Sequence, residues 1–230
     1  MRARKKKNTV PRLERVSHCF LPTIPQGDEE IRVEVGCGKG KFITALAKDH
    51  PNVKFYALEK IPDVIVMAAE KAARESVENV KFLLADAKDL TEGIDIKFMG
   101  MDENRKPILE NVAHEALCPP HSVSVLYLNF SDPLPNNKHA HLRLTSSEFL
   151  GRYRKILKED GHLEFKTDNR PLFEFSVEQF RECGYEIYDY TEDLHHSDIP
   201  NPYLTEYETR FSEMGMPIYS LKARPPKGDQ

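Results

Sequence analysis

From residue 31 onward, short runs of β-branched and aromatic residues alternate with stretches whose apolar positions recur at helical spacing. Ile31–Val35, Val53–Leu58 and Val80–Leu84 are predicted strands, and Lys41–Lys48 and Asp63–Arg74 are predicted helices. Phe42, Ala45 and Leu46 share one face of the first helix, and Asp63, following Pro62, is placed to cap the second. Val123–Phe130 is the most strongly β-forming run and reads as a central strand buried on both sides. Downstream come a helix over Ser146–Leu157, a strand over His162–Lys166 and a helix over Leu172–Cys183 that Gly184 stops. Tyr185–Tyr190 and Pro217–Lys222 close the pattern as strands, with a short helix near Thr205–Met214 between them.

Strands alternating with helices predict an α/β fold with a mostly parallel, seven-stranded sheet and helices on both faces. The two late strands predict an antiparallel edge. Residues 1–30 are polar and carry Pro11, Pro22 and Pro25, the composition of a basic, flexible arm, so the domain is placed at 31–230. Residues 91–120, with Gly100, Pro107, Pro119 and Pro120, read as an insertion holding one helix near Ile108–Leu117.

Composition narrows the class. The chain has 230 residues, 40% of them apolar and 30% charged, which suits one soluble domain. No apolar run reaches the roughly 18 residues of a membrane span, and no apolar segment of a secretory signal follows the basic start. Cys19, Cys37, Cys118 and Cys183 are scattered without metal-ligand spacing, so a cytoplasmic, reduced protein without metal is expected. The net charge of -4 hides two basic segments. One is Arg2, Arg4, Lys5, Lys6 and Lys7; the other runs from Lys138, His139, His141 and Arg143 to Arg152, Arg154, Lys155 and Lys158. Charge alone leaves two readings open, a phosphate-tracking surface or a solvated helix face with a loose tail.

Candidate chemistry begins where the first strand turns into the first helix, at Gly36-Cys37-Gly38-Lys39-Gly40. Glycines there let the backbone bend sharply and approach a ligand. A dinucleotide fingerprint requires glycine at 41, which is Lys41, so the spacing suits S-adenosylmethionine better than NAD. Glu59 ends the second strand, where an acid can accept both ribose hydroxyls, and Asp86 follows the third, where a carboxylate can accept from an adenine amino group. Glu34 is placed to face the ligand's ammonium or sulfonium. Ligands of open α/β sheets bind outside the carboxyl ends of the strands, and these acids fall there together. Asp132, in Asn129-Phe130-Ser131-Asp132-Pro133, and Asp168, in Phe165-Lys166-Thr167-Asp168-Asn169, fall on the same rim. Thr205-Glu206-Tyr207-Glu208 has the spacing of a helix capping box.

Val33–Gly40, Tyr127–Pro133, Phe165–Asn169 and Thr205–Glu208, with Asp193-Leu194-His195-His196-Ser197-Asp198, resemble the bacterial tRNA (guanine-N7-)-methyltransferase family, a class I, Rossmann-like group. The resemblance implies S-adenosylmethionine as cofactor, contacted by Glu34, Glu59, Asp86 and Asp132 beside the glycines Gly36, Gly38 and Gly40. It implies tRNA as partner and a variable-loop guanine, nucleotide 46, as the methyl acceptor. Asp132 is then the active-site acid, and Asp168 and Thr205, Glu206, Tyr207 and Glu208 contact substrate. Asn136 stands where the family carries a substrate-binding lysine, and Leu134 and Asn137 replace an aromatic and a basic residue of the same loop. That altered loop keeps two alternatives in view, an RNA-binding member with weak or no activity and a small-molecule methyltransferase. The oligomeric state is expected to be monomer or homodimer.

Overall fold

Strands with apolar residues on both faces are stable between two helical layers, and the computed structural model puts them there. It describes residues 8–91, 93–101, 107–114 and 116–227. In chain order the elements are α1 (Thr9–Arg15), β1 (Ile31–Val35), α2 (Lys41–Asp49), β2 (Lys54–Leu58), α3 (Pro62–Arg74) and β3 (Val80–Leu83). Then come β4 (Gly93–Met101), β5 (Pro107–His114), β6 (Val123–Asn129), α4 (Ser147–Ile156) and β7 (Leu157–Thr167). The last are α5 (Arg170–Glu182), β8 (Glu186–Thr191), α6 (Glu206–Glu213) and β9 (Tyr219–Arg224).

One seven-stranded sheet has the order β3-β2-β1-β6-β7-β9-β8. The first five of these strands are mutually parallel, while β9 runs antiparallel to both β7 and β8. The reversed strand therefore lies one place in from the edge. The period of two divides each strand between two cores. Phe55 and Ala57 of β2 join Phe42, Ile43 and Ile65 of α2 and α3, whereas Tyr56 and Leu58 face the core that holds Leu150, Phe173 and Phe180 of α4 and α5. Helices thus cover both faces. The strand order reverses between β1 and β6, which opens a crevice at their carboxyl ends.

Four expectations change. Within the expected arm, α1 lies on α3, where Arg12 Nε and Nη2 donate to the two Glu70 carboxylate oxygens at 2.8 and 2.5 Å. Val16, Cys19 and Ile24 are buried, and Phe20 forms a parallel bridge to Phe82 that extends the sheet past β3. Closing an otherwise bare edge strand is the physical return on ordering this segment. Residues 1–7 of the arm lie outside the described residues. The helix near Ile108–Leu117 is instead β5, paired antiparallel with β4. Its apolar spacing suits a helix, but pairing with β4 runs from Pro107 to His114 and makes that part a strand.

Pro62 rather than Asp63 opens α3, and Asp63 accepts a hydrogen bond from the Thr9 hydroxyl. Finally, β7 starts directly after α4 and passes through Gly161. A Cβ at Gly161 would stand 2.8 Å from the Val123 carbonyl, so only glycine fits this register shift between β6 and β7.

Candidate active site

The crevice at the strand switch has a backbone wall and an acidic floor. Gly36, Gly38 and Gly40 all have φ between +56 and +78°, which side-chain-bearing residues adopt at a cost. Cβ atoms built on Gly36 and Gly38 meet nothing within 4 Å, so the loop's outer surface is open to a ligand. At Gly40 the same Cβ would lie 2.7 Å from the Ala68 Cβ, so this glycine lets α2 close on α3. No side chain caps the start of α2, whose N–H groups face the loop.

Glu34 is 2% exposed at the end of β1. Asn129 Nδ2 donates to its Oε1 at 2.9 Å, while its Oε2 is buried without a hydrogen-bond partner among the described residues. Burial pushes the Glu34 carboxyl up to about 7; the Asn129 hydrogen bond opposes that rise, Glu206 adds to it, Lys166 opposes it and Glu59 adds to it. A cationic group set against Oε2 would be desolvated and neutralised together with it.

Glu59 and Asp86 flank this floor. Glu59 Oε1 accepts the Ile61 N–H at 3.0 Å, which fixes the carboxylate at the end of β2. Asp86 accepts the Lys88 N–H at 3.3 Å and its own N–H donates to Asp89 Oδ2 at 2.9 Å, with Lys60 Nζ 3.9 Å from Asp86 Oδ2. Asp86 is therefore a helix cap and a rim acid at once. Ile61 and Leu84 stand exposed beside these two acids, although both are large and apolar. Sequence reasoning missed this pair; an apolar residue three places past β2 and one place past β3 was the available signal. Glycines with open flanks, a carboxylate for each ribose and base contact, two apolar side chains for a flat ring and a buried acid for positive charge together fit S-adenosylmethionine.

The chain matches, over residues 28–101 and 104–221, a protein family described as putative methyltransferase. It is 42% identical over 194 residues to the tRNA (guanine-N(7)-)-methyltransferase of Lachnoclostridium phytofermentans, covering 84% of this chain and 79% of that one. The enzyme of that name from Geobacillus kaustophilus is 41% identical over 201 residues, covering 87% and 82%. This chain belongs to the tRNA (guanine-N(7)-)-methyltransferase family. Among solved structures, the 16S rRNA methyltransferase KamB superposes with a TM-score of 0.55 at 15% identity over 93% of each chain, a likeness of fold.

The methyltransferase carries its second set of candidate residues on the far side of the crevice. Phe130 has φ +53°, held by its N–H donating to the Lys166 carbonyl at 2.8 Å, and this kink turns the chain after β6 out over the crevice. Asp132 emerges there, exposed and with no hydrogen-bond partner among the described residues. Asp168 is half-buried at the end of β7. Because β9 runs backwards, it starts at the carboxyl rim, and α6 just before it brings Thr205–Glu208 to the same place.

Thr205 Oγ1 accepts the Glu208 N–H at 2.9 Å, which is half of the expected capping box. The other half is absent: Glu208, 0% exposed, accepts from Asn201 and lies 3.5 Å from Lys166 Nζ. Glu208 therefore faces inward, whereas Glu206 and Tyr207 are exposed, the latter by 61% and stacked on Phe130 with centroids 6.3 Å apart. Asn136 is exposed and caps the turn that follows it by accepting the Lys138 N–H at 3.0 Å.

Two basic residues singled out for phosphate contact are occupied elsewhere. Arg143, 9% exposed, donates to the Pro133 and Leu134 carbonyls at 3.0 and 3.1 Å and lies 4.3 Å over the Phe175 ring. It braces the loop, whose Leu134 has φ +41°. Arg152 pairs with Glu148 at 2.9 Å. Beside the braced loop, a cleft of about 580 Å³ runs to the start of α5, bounded by Pro133, Pro135, Asn169, Leu172 and Phe175. Among the described residues no cluster of His, Cys, Asp or Glu is arranged to hold a metal, and no helix is long and apolar enough to cross a membrane.

The raised Glu34 value has a measurable consequence. Between the ordinary carboxyl pKa of 4.5 and about 7 the folded chain holds a proton that the unfolded chain has lost, so stability falls as pH rises through that window. The loss amounts to about 3 kcal/mol. Urea unfolding between pH 4.5 and 8 is expected to show this slope, and Glu34→Gln to flatten it. An unchanged slope in that variant would assign the effect to other groups.

Proposed function

We propose that the protein methylates N7 of a guanine in the variable loop of tRNA, nucleotide 46, with S-adenosylmethionine as the methyl donor. What carries this reading is the placement at one crevice of a buried acid, Glu34, and an exposed one, Asp132, which has no hydrogen-bond partner among the described residues. The name of the relatives supplies the acceptor atom and the nucleic acid. When bound, the cofactor supplies a methyl group on a cationic sulfur. Glu34, Glu59, Asp86 and the loop glycines Gly36, Gly38 and Gly40 hold it, with Glu34 balancing its positive end.

Guanine N7 has an in-plane lone pair and no proton, so the chain needs no general base. Its task is alignment, which is worth up to about 7–11 kcal/mol when reacting atoms are held at near-attack geometry. Asp132 accepts from the guanine N1 and N2 protons and sits where positive charge grows on the ring. Asp168, Glu206 and Tyr207 form the opposite rim, and Tyr207 offers an aromatic face to an everted base. Glu208 acts from behind by holding that segment in place. Asn136, with its side chain engaged as a cap, contributes a neutral hydrogen-bonding position where a lysine is common.

Incubation with labelled cofactor and unmodified tRNA, followed by mapping of N7-methylguanosine along the strand, tests this function. Methyl label confined to free small molecules would sink it. The basic segment after the loop gives a second test. Lys138 is exposed, so Lys138→Ala is expected to flatten the salt dependence of tRNA binding by about one unit of slope. Arg143→Ala is expected to weaken binding through the loop and leave the slope unaltered. Equal slope changes in the two variants would return Arg143 to the phosphate surface.

A further inference from the structure

The family motifs leave one buried charge without a role. Lys166, at the end of β7, is 8% exposed in a core-lining position, yet it bears an ammonium. Its neighbours form a continuous polar row along the carboxyl rim. Glu34 on β1 is bonded to Asn129 on β6, and Asn129 lies in register with Lys166 on β7. Lys166 Nζ donates to Asn201 and lies 3.5 Å from Glu208 Oε2 on α6. Asn201 in turn donates to Glu208 Oε1, and His195 Nε2 stands 3.8 Å from that same oxygen. The aromatic ring of Phe42 packs against the ammonium at 5.6 Å.

Each end of the row meets a different half of the site. Glu34 is the acid of the cofactor crevice, and Glu208 belongs to the segment that presents Glu206 and Tyr207. The Lys166 carbonyl also accepts the Phe130 N–H and so fixes the kink ahead of Asp132. Several polar atoms along the row, Glu34 Oε2, Asn129 Oδ1 and His195 Nε2, are buried without hydrogen-bond partners among the described residues. Buried polar groups in that condition are costly, and a costly arrangement persists where it performs a task.

We propose that Lys166 is a positioning residue that ties the two halves of the site together, holding α6 through Glu208 while placing its charge in the same buried row as Asn129 and Glu34. This rests on the methyl-transfer function proposed above, but it makes a claim about cofactor binding that stands without tRNA. Burial holds the Lys166 ammonium below the usual lysine range; Glu208 and Glu164 work against that lowering. The charged groups acting on Glu34 are Glu206 from α6, Lys166 from β7 and Glu59 from the end of β2, with the buried Cys37 thiol beside it in the glycine loop. Lys166 is the one cation in that set, so its charge opposes the rise that burial imposes on Glu34 and favours the ionised form that can balance a positive ligand.

The test uses the full chain with three variants: Lys166→Met, the double variant Lys166→Met/Glu208→Gln, and Lys166→Arg. The double variant removes a buried pair as a unit and avoids stranding one charge. S-adenosylmethionine affinity is measured by calorimetry across pH 5–9, and kcat and KM for tRNA are measured separately. Both variants lacking the lysine charge are expected to move the midpoint of the cofactor's pH dependence upward by about one unit. They are also expected to raise KM for tRNA about tenfold or more as α6 loses its anchor. Lys166→Arg, which keeps the charge with a different head group, is expected to retain the midpoint while still raising KM.

A merely structural lysine would weaken affinity at all pH values without moving the midpoint, and that result would overturn the proposal. If the methionine variants do not fold, a displaced midpoint or an unaltered KM in Lys166→Arg overturns it equally. If the unaltered protein fails to methylate tRNA, the proposed function falls, and the calorimetric midpoints still decide the link between Lys166 and Glu34.

Discussion

Asp132→Ala is expected to lower the rate of methyl transfer by about a thousandfold, with cofactor affinity kept within a few-fold and the unfolding midpoint unchanged. The three readouts separate because of where Asp132 sits. Its carboxylate is exposed and holds no hydrogen bond to the described residues, so its removal leaves neither a cavity nor a stranded partner among them. The cofactor's positive end is balanced by Glu34, which the variant leaves in place. What disappears is an acceptor facing the base as it gains charge. Single-turnover transfer, calorimetric titration and thermal unfolding of the same preparation check the three parts. Near-normal turnover would remove Asp132 from the chemistry, and a lowered unfolding midpoint would make it structural.

The second large effect is expected at Gly40. Gly40→Ala is expected to cost about 3 kcal/mol of stability and most of the cofactor affinity. One part is backbone strain, because φ is +75° and a Cβ there is disfavoured by about 1–2 kcal/mol. The other is overlap with Ala68, whose Cβ would be 2.7 Å away on the middle of α3 and has no rotamer through which to escape. Relief requires α2 to move off α3, and that movement carries the glycine loop with it. Gly38→Ala provides the contrast, since it shares the left-handed conformation but meets nothing within 4 Å. It should lose less stability while still crowding the ligand. Denaturant unfolding and cofactor titration of both variants test this, and equal stability losses would show that the contact with Ala68 does not matter.

The parts of the fold that could be read from sequence are those in which local pattern and tertiary environment agree. The runs Ile31–Val35 and Val123–Asn129 are mostly apolar and β-branched, and the structure buries all but one position of each. The rim position of Glu34, Glu59, Asp86 and Asp132 was legible because parallel strands place all their carboxyl ends on one side. Segments whose partners are distant in sequence were not legible. Ile108, Leu109, Val112 and Ala113 have helical spacing, and only pairing with β4 makes them a strand. Val16, Cys19 and Ile24 sit among prolines and basic residues and gain their burial from a sheet edge formed later in the chain.

The same limit hid the inward half of the site. Glu208 has the spacing of a capping-box acid, and nothing local reveals that its carboxylate turns instead to Lys166 and Asn201. Likewise, Arg143 reads as part of a basic surface until the Pro133 and Leu134 carbonyls are seen to claim it. A charge in a sequence carries no sign of whether it faces water.

The N-terminal strap also bears on the order of events at synthesis. Leu21 donates to the Phe82 carbonyl and Ile24 to the Leu117 carbonyl, both of which leave the ribosome long after residues 8–24 have emerged. A segment made before the strands is therefore able to dock only after them, and Phe20 and Leu21 wait exposed while the parallel strands assemble. During that interval the nascent chain offers an unclaimed apolar stretch to which a chaperone has access. Completion of β3 then ends that access by giving the stretch its own place in the sheet.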